Sequence, residues 1–166
     1  MNKISQTIDL LNEKIGKLTS YLTIPLILLT FLVAFMRYAL DFGSIAIQEI
    51  TIYLHALIFT TGASYTLKNN MHVRIDIFYN KFSSNLKKAI DFYGTIFLLL
   101  PTCALILISS FKYVITSILL LESSKEAGGL PILYILKTYI LLMAIMLVLQ
   151  AISEVIKNSK GKNKKC

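Results

Sequence analysis

Four long apolar stretches, separated by short polar segments, constrain this chain more than any other feature of its sequence. Each reaches about the twenty mostly apolar residues that an α-helix needs to cross the hydrocarbon core of a membrane. Of the 166 residues, 55% are hydrophobic and 16% are charged, against roughly 25% charged in a soluble domain. We therefore predict a single all-α membrane domain over residues 1–166. Its four transmembrane helices are expected at about residues 18–36, 45–67, 89–111 and 131–152.

The third apolar stretch, residues 89–121, is longer than one crossing requires. At about 1.5 Å per residue it would extend roughly 50 Å, whereas the hydrocarbon core is about 30 Å thick. We expect Lys112 to lie near the outer surface and the residues beyond it to lie partly outside the membrane. Gly94 and Pro101 are candidate kinks, and Pro25 is expected to bend the first span modestly.

The basic residues are distributed unevenly along the chain. Thirteen of the 17 Lys and Arg residues lie in three segments, residues 1–17, 68–88 and 153–166. Basic residues in alternate connections are the positive-inside pattern of a multi-pass membrane protein, which predicts that both termini, including the tail 153–166, are cytoplasmic. The net charge of +8 also raises the question of nucleic acid. Nucleic-acid binding needs a basic face with base-reading or stacking groups beside it, so no such partner is predicted.

Two segments outside the spans have the spacing of amphipathic helices. In the first, at about residues 4–17, apolar positions recur every three or four residues: Ile4, Ile8, Leu11, Ile15 and Leu18. In the second, at about residues 73–88, the corresponding positions are Ile75, Phe78, Phe82 and Leu86. Because each adjoins a membrane span, both segments are predicted to be interfacial helices, one N-terminal and one mid-chain.

Charged residues near the ends of the spans are candidates for function. Arg37 and Glu49 lie at the outer ends of the first and second spans, and the short hairpin between them could bring them together as an ion pair. Such a pair is either a structural clamp near the headgroups or a proton or cation site. In the second case Glu49 would serve a self-assembling, four-helix, proton-coupled antiporter. Lys137 can extend its amine outward or meet Glu122 or Glu126.

The second span carries five small or polar residues on one helical face: Gln48, Thr51, His55, Gly62 and Thr66. Such a stripe permits close helix packing and interhelical hydrogen bonds, and the alternative is a ligand site. Haem ligation by His55 would need a second donor at the same depth, and the other histidine, His72, lies outside the spans. We predict neither a metal nor a cofactor, because no cluster of ligating residues occurs and the two cysteines follow no redox spacing.

The sequence contains no phosphate loop, dinucleotide fingerprint or nucleophile elbow, so no enzymatic activity is predicted. Cys103 lies in an apolar run, where we expect it to pack as a small hydrophobic residue. The stretch "KNNMHVRID", residues 68–76, places His72, Arg74 and Asp76 directly after the second span. We interpret it as an anchor at the cytoplasmic headgroups, with His72 and Asp76 fixing the turn into the second interfacial helix.

Four short motifs follow one another across the spans: "RYALDF" at 37–42, "QEI" at 48–50, "GASYTLKNNMHVRID" at 62–76 and "GGLP" at 128–131. This ordered set resembles the small membrane subunit (DctQ-like) of the tripartite ATP-independent periplasmic (TRAP) transporters. The residues that carry the resemblance are structural or subunit-interface candidates: Arg37, Glu49, Gly62, His72, Arg74 and Asp76. Family members often have Trp before the glutamate of the second span and after the late Leu-Pro, whereas this chain has no Trp.

The resemblance implies a role in transport. In this family the small subunit pairs with a large multi-span permease subunit that carries the substrate and sodium sites. A separate extracytoplasmic binding protein delivers the solute, commonly a C4-dicarboxylate or sialic acid. The chain would then brace the large subunit among the lipids of a bacterial inner membrane during sodium-coupled uptake.

Overall fold

The computed structural model describes residues 3–69, 71 and 82–162. Its helices are α1 (Lys3–Tyr21), α2 (Thr23–Ala39), α3 (Ile45–Lys68), α4 (Ser84–Gly94), α5 (Leu100–Leu119) and α6 (Leu133–Lys162), with a π-helical turn (Thr95–Leu99) between α4 and α5. No strand occurs within these described ranges. Four stretches are long and apolar enough to cross a membrane: Lys3–Ala39, Ile45–Lys68, Ala89–Leu119 and Leu133–Asn158. The predicted all-α membrane fold with four candidate spans is therefore confirmed.

The first helical stretch is nearly continuous but is interrupted at Leu22, between α1 and α2. Pro25 lacks the N–H that would bond to the carbonyl of Tyr21, and its ring would crowd that carbonyl. The interruption therefore lies one turn before the proline, close to where the sequence predicts a bend.

The third helical stretch departs from α geometry between the two predicted kink positions, Gly94 and Pro101. In the π-helical turn, the N–H of Leu100 bonds to the carbonyl of Thr95, five residues earlier. Pro101 has no N–H to donate to the carbonyl of Phe97 in the preceding turn, and a π-helical turn accommodates such a break in the hydrogen-bond ladder. One helical stretch thus continues through α4 and α5 despite the proline.

Small and polar side chains form the interior of the bundle, where α6 packs against α5, α3 and α1, and α3 packs against α1 and α2. The buried polar residues are Ser5, Asn12, Thr19, Thr60, Thr61, Ser64, Ser117, Gln150 and Ser153. Large apolar side chains such as Phe31 and Ile108 face outward, 68% and 78% exposed. This arrangement suits a protein whose outer surface contacts lipid. Cys103 is 1% exposed, which confirms its predicted role in packing.

The N-terminal helix α1 docks through its polar side. Ser5, Asn12, Gly16 and Thr19 are buried, whereas the predicted apolar positions Ile4, Leu11 and Leu18 are 59%, 43% and 69% exposed. A hydroxyl–hydroxyl bond of 2.7 Å joins Ser5 to Ser153, and the Asn12 amide donates to the Gln150 carbonyl oxygen at 2.7 Å. The part of α1 that carries Ile4, Leu11 and Leu18 is therefore free for lipid, whereas Ile8 and Ile15 are half-buried. The location of α1 in the membrane interface stays a prediction.

The two ends of the bundle differ in the segments that they contain. The basic end holds the start of α1 and the ends of α3 and α6. The loop end holds the α2–α3 turn, residues 40–44, and the α5–α6 loop, residues 120–132.

Candidate functional site

The carboxylate of Glu49 is held by the α5–α6 loop at the loop end. The Ser124 hydroxyl donates to Oε1 of Glu49, and the Leu130 N–H donates to Oε2 at 2.6 Å. The loop is also bonded to itself, because the Ser124 N–H donates to the Leu130 carbonyl at 2.9 Å and the Glu126 N–H donates to the Ser124 hydroxyl at 3.2 Å. We call this arrangement the Glu49 clasp. It joins the motifs "QEI" and "GGLP", which are 80 residues apart in sequence.

Each of the two glycines of "GGLP" is favoured at its position for a different geometric reason. Gly128 has φ of 82°, a left-handed conformation that side-chain-bearing residues rarely adopt. At Gly129 a Cβ atom would lie 2.8 Å from Oε1 of Glu49 and would also collide with the Ser124 side chain. Gly129 therefore allows the loop to close over the carboxylate, and the next residue supplies the backbone donor.

A second polar contact ties the same loop to α6. Nζ of Lys137 lies 2.5 Å from a carboxylate oxygen of Glu122 and 4.2 Å from the centre of the Tyr113 ring. The Ser117 hydroxyl donates to the same Glu122 oxygen at 2.7 Å. The bonds from Lys137 and then Ser117 lower the pKa of Glu122 below its ordinary value. The predicted encounter of Lys137 with Glu122 is thus confirmed.

Arg37 does not share the Glu49 clasp. It lies exposed at the end of α2, beside a groove of about 390 Å³ that Asp41, Phe42 and Gln48 also line. The α2–α3 turn closes differently: Asp41 is left-handed, with φ of 49°, and the Phe42 N–H donates to the Met36 carbonyl at 3.0 Å. The structure does not bring the two predicted partners together: Glu49 is bonded to the α5–α6 loop, whereas Arg37 lies beside the groove at the α2–α3 turn.

The polar stripe predicted on α3 does not form the buried side of that helix. The buried residues of α3 are Tyr53, Thr60, Thr61 and Ser64, none of which belongs to the predicted stripe. His55 is exposed, and a Cβ built on Gly62 would meet no atom within 4 Å. The stripe was predicted to face protein. Within this chain, its central part faces outward.

At the basic end, α1 holds the last turn of α3. Nζ of Lys68 lies 2.5 Å from one carboxylate oxygen of Glu13. The other oxygen of the same carboxylate accepts from Nζ of Lys17 at 2.6 Å. The remaining motif residues, His72, Arg74 and Asp76, lie outside the described residues, and so does most of the second predicted interfacial helix. Their predicted roles stay predictions.

A polar network between α1 and α6 was missed at the level of sequence. The Asp9 carboxylate lies 2.8 Å from Nζ of Lys157 and accepts from the Ser153 hydroxyl at 2.8 Å and from the Gln150 amide at 3.1 Å. The signal was the recurrence of Ser5, Asn12 and Thr19 every seven residues, on a face about a quarter turn from the apolar stripe. That stripe drew attention because hydrophobic periodicity usually marks the buried side of a helix.

The polar groups described above hold helices and loops together. No group of three or more His, Cys, Asp or Glu residues suited to a metal ion occurs among the described residues. The larger open cavity, about 510 Å³ between α3, α5 and α6, is lined mainly by apolar side chains together with Glu122, Lys125 and Lys137. Two carboxylates of the loop end, Glu49 and Glu122, are already bonded to donors of the same chain.

A comparison with protein families gives a match that extends over most of the chain. Residues 26–161 match the family of tripartite ATP-independent periplasmic transporters, DctQ component. No curated protein and no solved structure matches the chain significantly. The match includes the Glu49 clasp and all helices from α3 to α5, and it extends into α6 as far as Gly161. The chain therefore belongs to the DctQ family, the small membrane component of TRAP transporters.

Proposed function

We propose that this chain is the small transmembrane subunit of a TRAP-type importer and braces the large permease subunit during sodium-coupled uptake. The solute would be a carboxylate-bearing compound of the C4-dicarboxylate or sialic acid class, delivered by an extracytoplasmic binding protein. The proposed location is a bacterial inner membrane, with both termini in the cytoplasm.

The Glu49 clasp is the observation that carries this proposal. It ties the start of α3 to the loop before α6, while the Glu13–Lys68 pair ties the end of α3 to α1. Contacts at both ends restrain the helices relative to one another, as expected of a scaffold that stays fixed while a partner moves. A membrane carboxylate that is bonded to its own loop is also poorly suited to exchange protons and cations, which argues against the antiporter alternative.

The test is to co-express the chain with the large multi-span subunit encoded beside it and to purify the pair through a tag on this chain. We expect a stable complex that takes up solute in proteoliposomes only with a sodium gradient and the cognate binding protein. Recovery of this chain only with itself would contradict the proposal.

The antiporter alternative has its own readout. The chain would be reconstituted alone and assayed for cation or drug exchange driven by a proton gradient. We expect no exchange. Exchange that disappears in Glu49→Gln would favour the antiporter.

A further inference from the structure

The outward face of α3 is formed by Ile52, His55, Phe59 and Gly62, which are three or four residues apart and so share one side of the helix. Ile52 and Phe59 are 55% and 67% exposed, and His55 is exposed as well. Space beside Gly62 is open to at least 4 Å from a Cβ built there. We call these four residues the α3 outer face.

His55 lies near the middle of the membrane-spanning helix. It is about 15 Å along the axis from Ile45 and about 20 Å from Lys68, at 1.5 Å per residue. The Glu49 clasp and the Glu13–Lys68 pair lie toward the two ends of the same helix. The imidazole is therefore at the depth where lipid offers only hydrocarbon.

Two other exposed polar side chains of the spans, Thr30 and Ser109, are bonded within their own helices. The hydroxyls of Thr30 and Ser109 each donate at 2.8 Å to a carbonyl four residues earlier in their own helix. Lys112 has a long side chain that can extend to the headgroups. Among the described residues His55 has no hydrogen-bond or ion-pair partner, although a neutral imidazole carries one donor and one acceptor. A polar group of another polypeptide at the same depth would satisfy it.

We propose that the α3 outer face binds a transmembrane helix of the large permease subunit, which supplies a hydrogen-bonding group to His55. The proposal rests on the proposed function. The open space at Gly62 beside the protruding Phe59 ring suits a close helix–helix contact, which small residues permit in membranes. The family match makes this chain one component of a tripartite transporter, so a membrane partner other than a second copy is expected on this face.

The first test is photo-crosslinking of the co-expressed pair. A photoreactive phenylalanine analogue replaces Phe59 in one variant and Phe97 in a control, since the two rings are 67% and 69% exposed. We expect the analogue at position 59 to give an adduct with the large subunit and the one at position 97 to give none. An adduct of position 59 with a second copy or with lipid alone, equal adducts from both positions, or no adduct would overturn the inference.

The unmodified pair distinguishes a failure of this inference from a failure of the proposed function. If the large subunit co-purifies with wild-type chain but crosslinks elsewhere, the inference fails and the proposed function stands. If the large subunit does not co-purify, the proposed function fails, and the inference fails with it.

The second test compares binding with stability. His55→Leu and Gly62→Leu should each reduce the recovered large subunit by about tenfold, the effect of one lost interhelical contact. Gly94→Leu is the matched control, because a Cβ at Gly94 also meets nothing within 4 Å. The isolated His55→Leu chain should unfold at the wild-type temperature or higher, since the imidazole bonds to no described residue of its own chain. Unchanged recovery in both α3 variants, or an equal loss in Gly94→Leu, would overturn the inference.

Discussion

At the scale of single residues, closeness in sequence does not determine which group a charged side chain binds. Glu49 is twelve residues from Arg37, yet its carboxylate binds Ser124 and the backbone of Leu130. The glycine at position 129 contributes by lacking a side chain, because any Cβ there would occupy the space between loop and carboxylate.

Glu49→Gln is expected to lower the free energy of unfolding of the purified chain by about 1.5–3 kcal/mol, the range for hydrogen bonds to a charged group. Arg37→Gln should change it by less than about 0.5 kcal/mol, as for an exposed side chain. Because the structure shows no contact between the two residues, their effects should add in the double variant. Denaturation in detergent, followed by circular dichroism, measures all three. A clearly non-additive double variant would indicate that the two residues interact after all.

Gly129→Ala should destabilise the chain by about 1–3 kcal/mol. The added methyl group would force the loop away from Glu49, and the hydrogen-bond donors of the loop would lose their acceptor. Gly43→Ala is the control, since a Cβ at Gly43 meets nothing within 4 Å. Thermal unfolding of the two variants compares them directly. Equal melting temperatures for both would show that the loop closes in another way.

The pH dependence of stability should carry a contribution from Glu122. Its folded-state pKa is depressed, first by Lys137 and then by Ser117, so the unfolded carboxyl takes up a proton more readily. The contribution is therefore present above the ordinary value of 4.5 and is lost as pH falls from there through the lower folded value. Melting temperatures of wild type and Glu122→Gln, measured as pH is lowered, should converge in that window. Parallel curves would contradict the assignment.

At the scale of helices, α1 reverses the usual orientation of an amphipathic helix. Its small and polar residues contact α3 and α6, and the apolar residues Ile4, Leu11 and Leu18 face outward. In lipid no hydrophobic force drives helices together, so close approach and hydrogen bonds hold them. Gly16 permits a close approach of α1 to α3, since a Cβ there would lie 2.5–2.7 Å from side-chain atoms of Tyr65.

Gly16→Ala should loosen the docking of α1 on α3, although alanine favours the helix itself by about 1 kcal/mol. The clash includes Cβ of Tyr65, which a rotation of the ring cannot relieve. Gly94→Ala gains the same helix propensity without a clash and serves as control. Hydrogen exchange of the α1 amides should be faster in Gly16→Ala than in wild type. Unchanged exchange would mean that α1 and α3 separate at little cost.

At the scale of the whole molecule, polar contacts tie the helices at both ends of the bundle, and small side chains pack between them. The basic end has the pairs Glu13–Lys68 and Asp9–Lys157, and the loop end has the Glu49 clasp and Lys137–Glu122. The outer surface is largely apolar. A membrane component of this kind is expected to present a constant shape to its partner.

The proposed topology is tested by treating spheroplasts, whose outer membrane has been removed and whose inner membrane is intact, with a membrane-impermeant thiol reagent. Cys103 is 1% exposed and should not react. Cys166, in the basic tail, should be protected until the membrane is permeabilised. Gly43→Cys in a Cys166→Ser background should react at once, because residue 43 lies in the turn at the loop end. Labelling of Cys166 in intact cells would reverse the proposed orientation.

The all-helical fold, its four candidate spans and the two irregular places near Pro25 and Pro101 were already indicated by sequence. They follow from local causes, namely apolar length and the missing N–H of proline. The tertiary structure alone decided which groups meet. The Glu49 clasp and the α1–α6 network join residues about 75 to 148 positions apart, and helical periodicity does not specify such pairs. Likewise, periodicity placed His55 and Gly62 on one face of α3, but only the packing of α1, α2 and α6 around that helix left the face open.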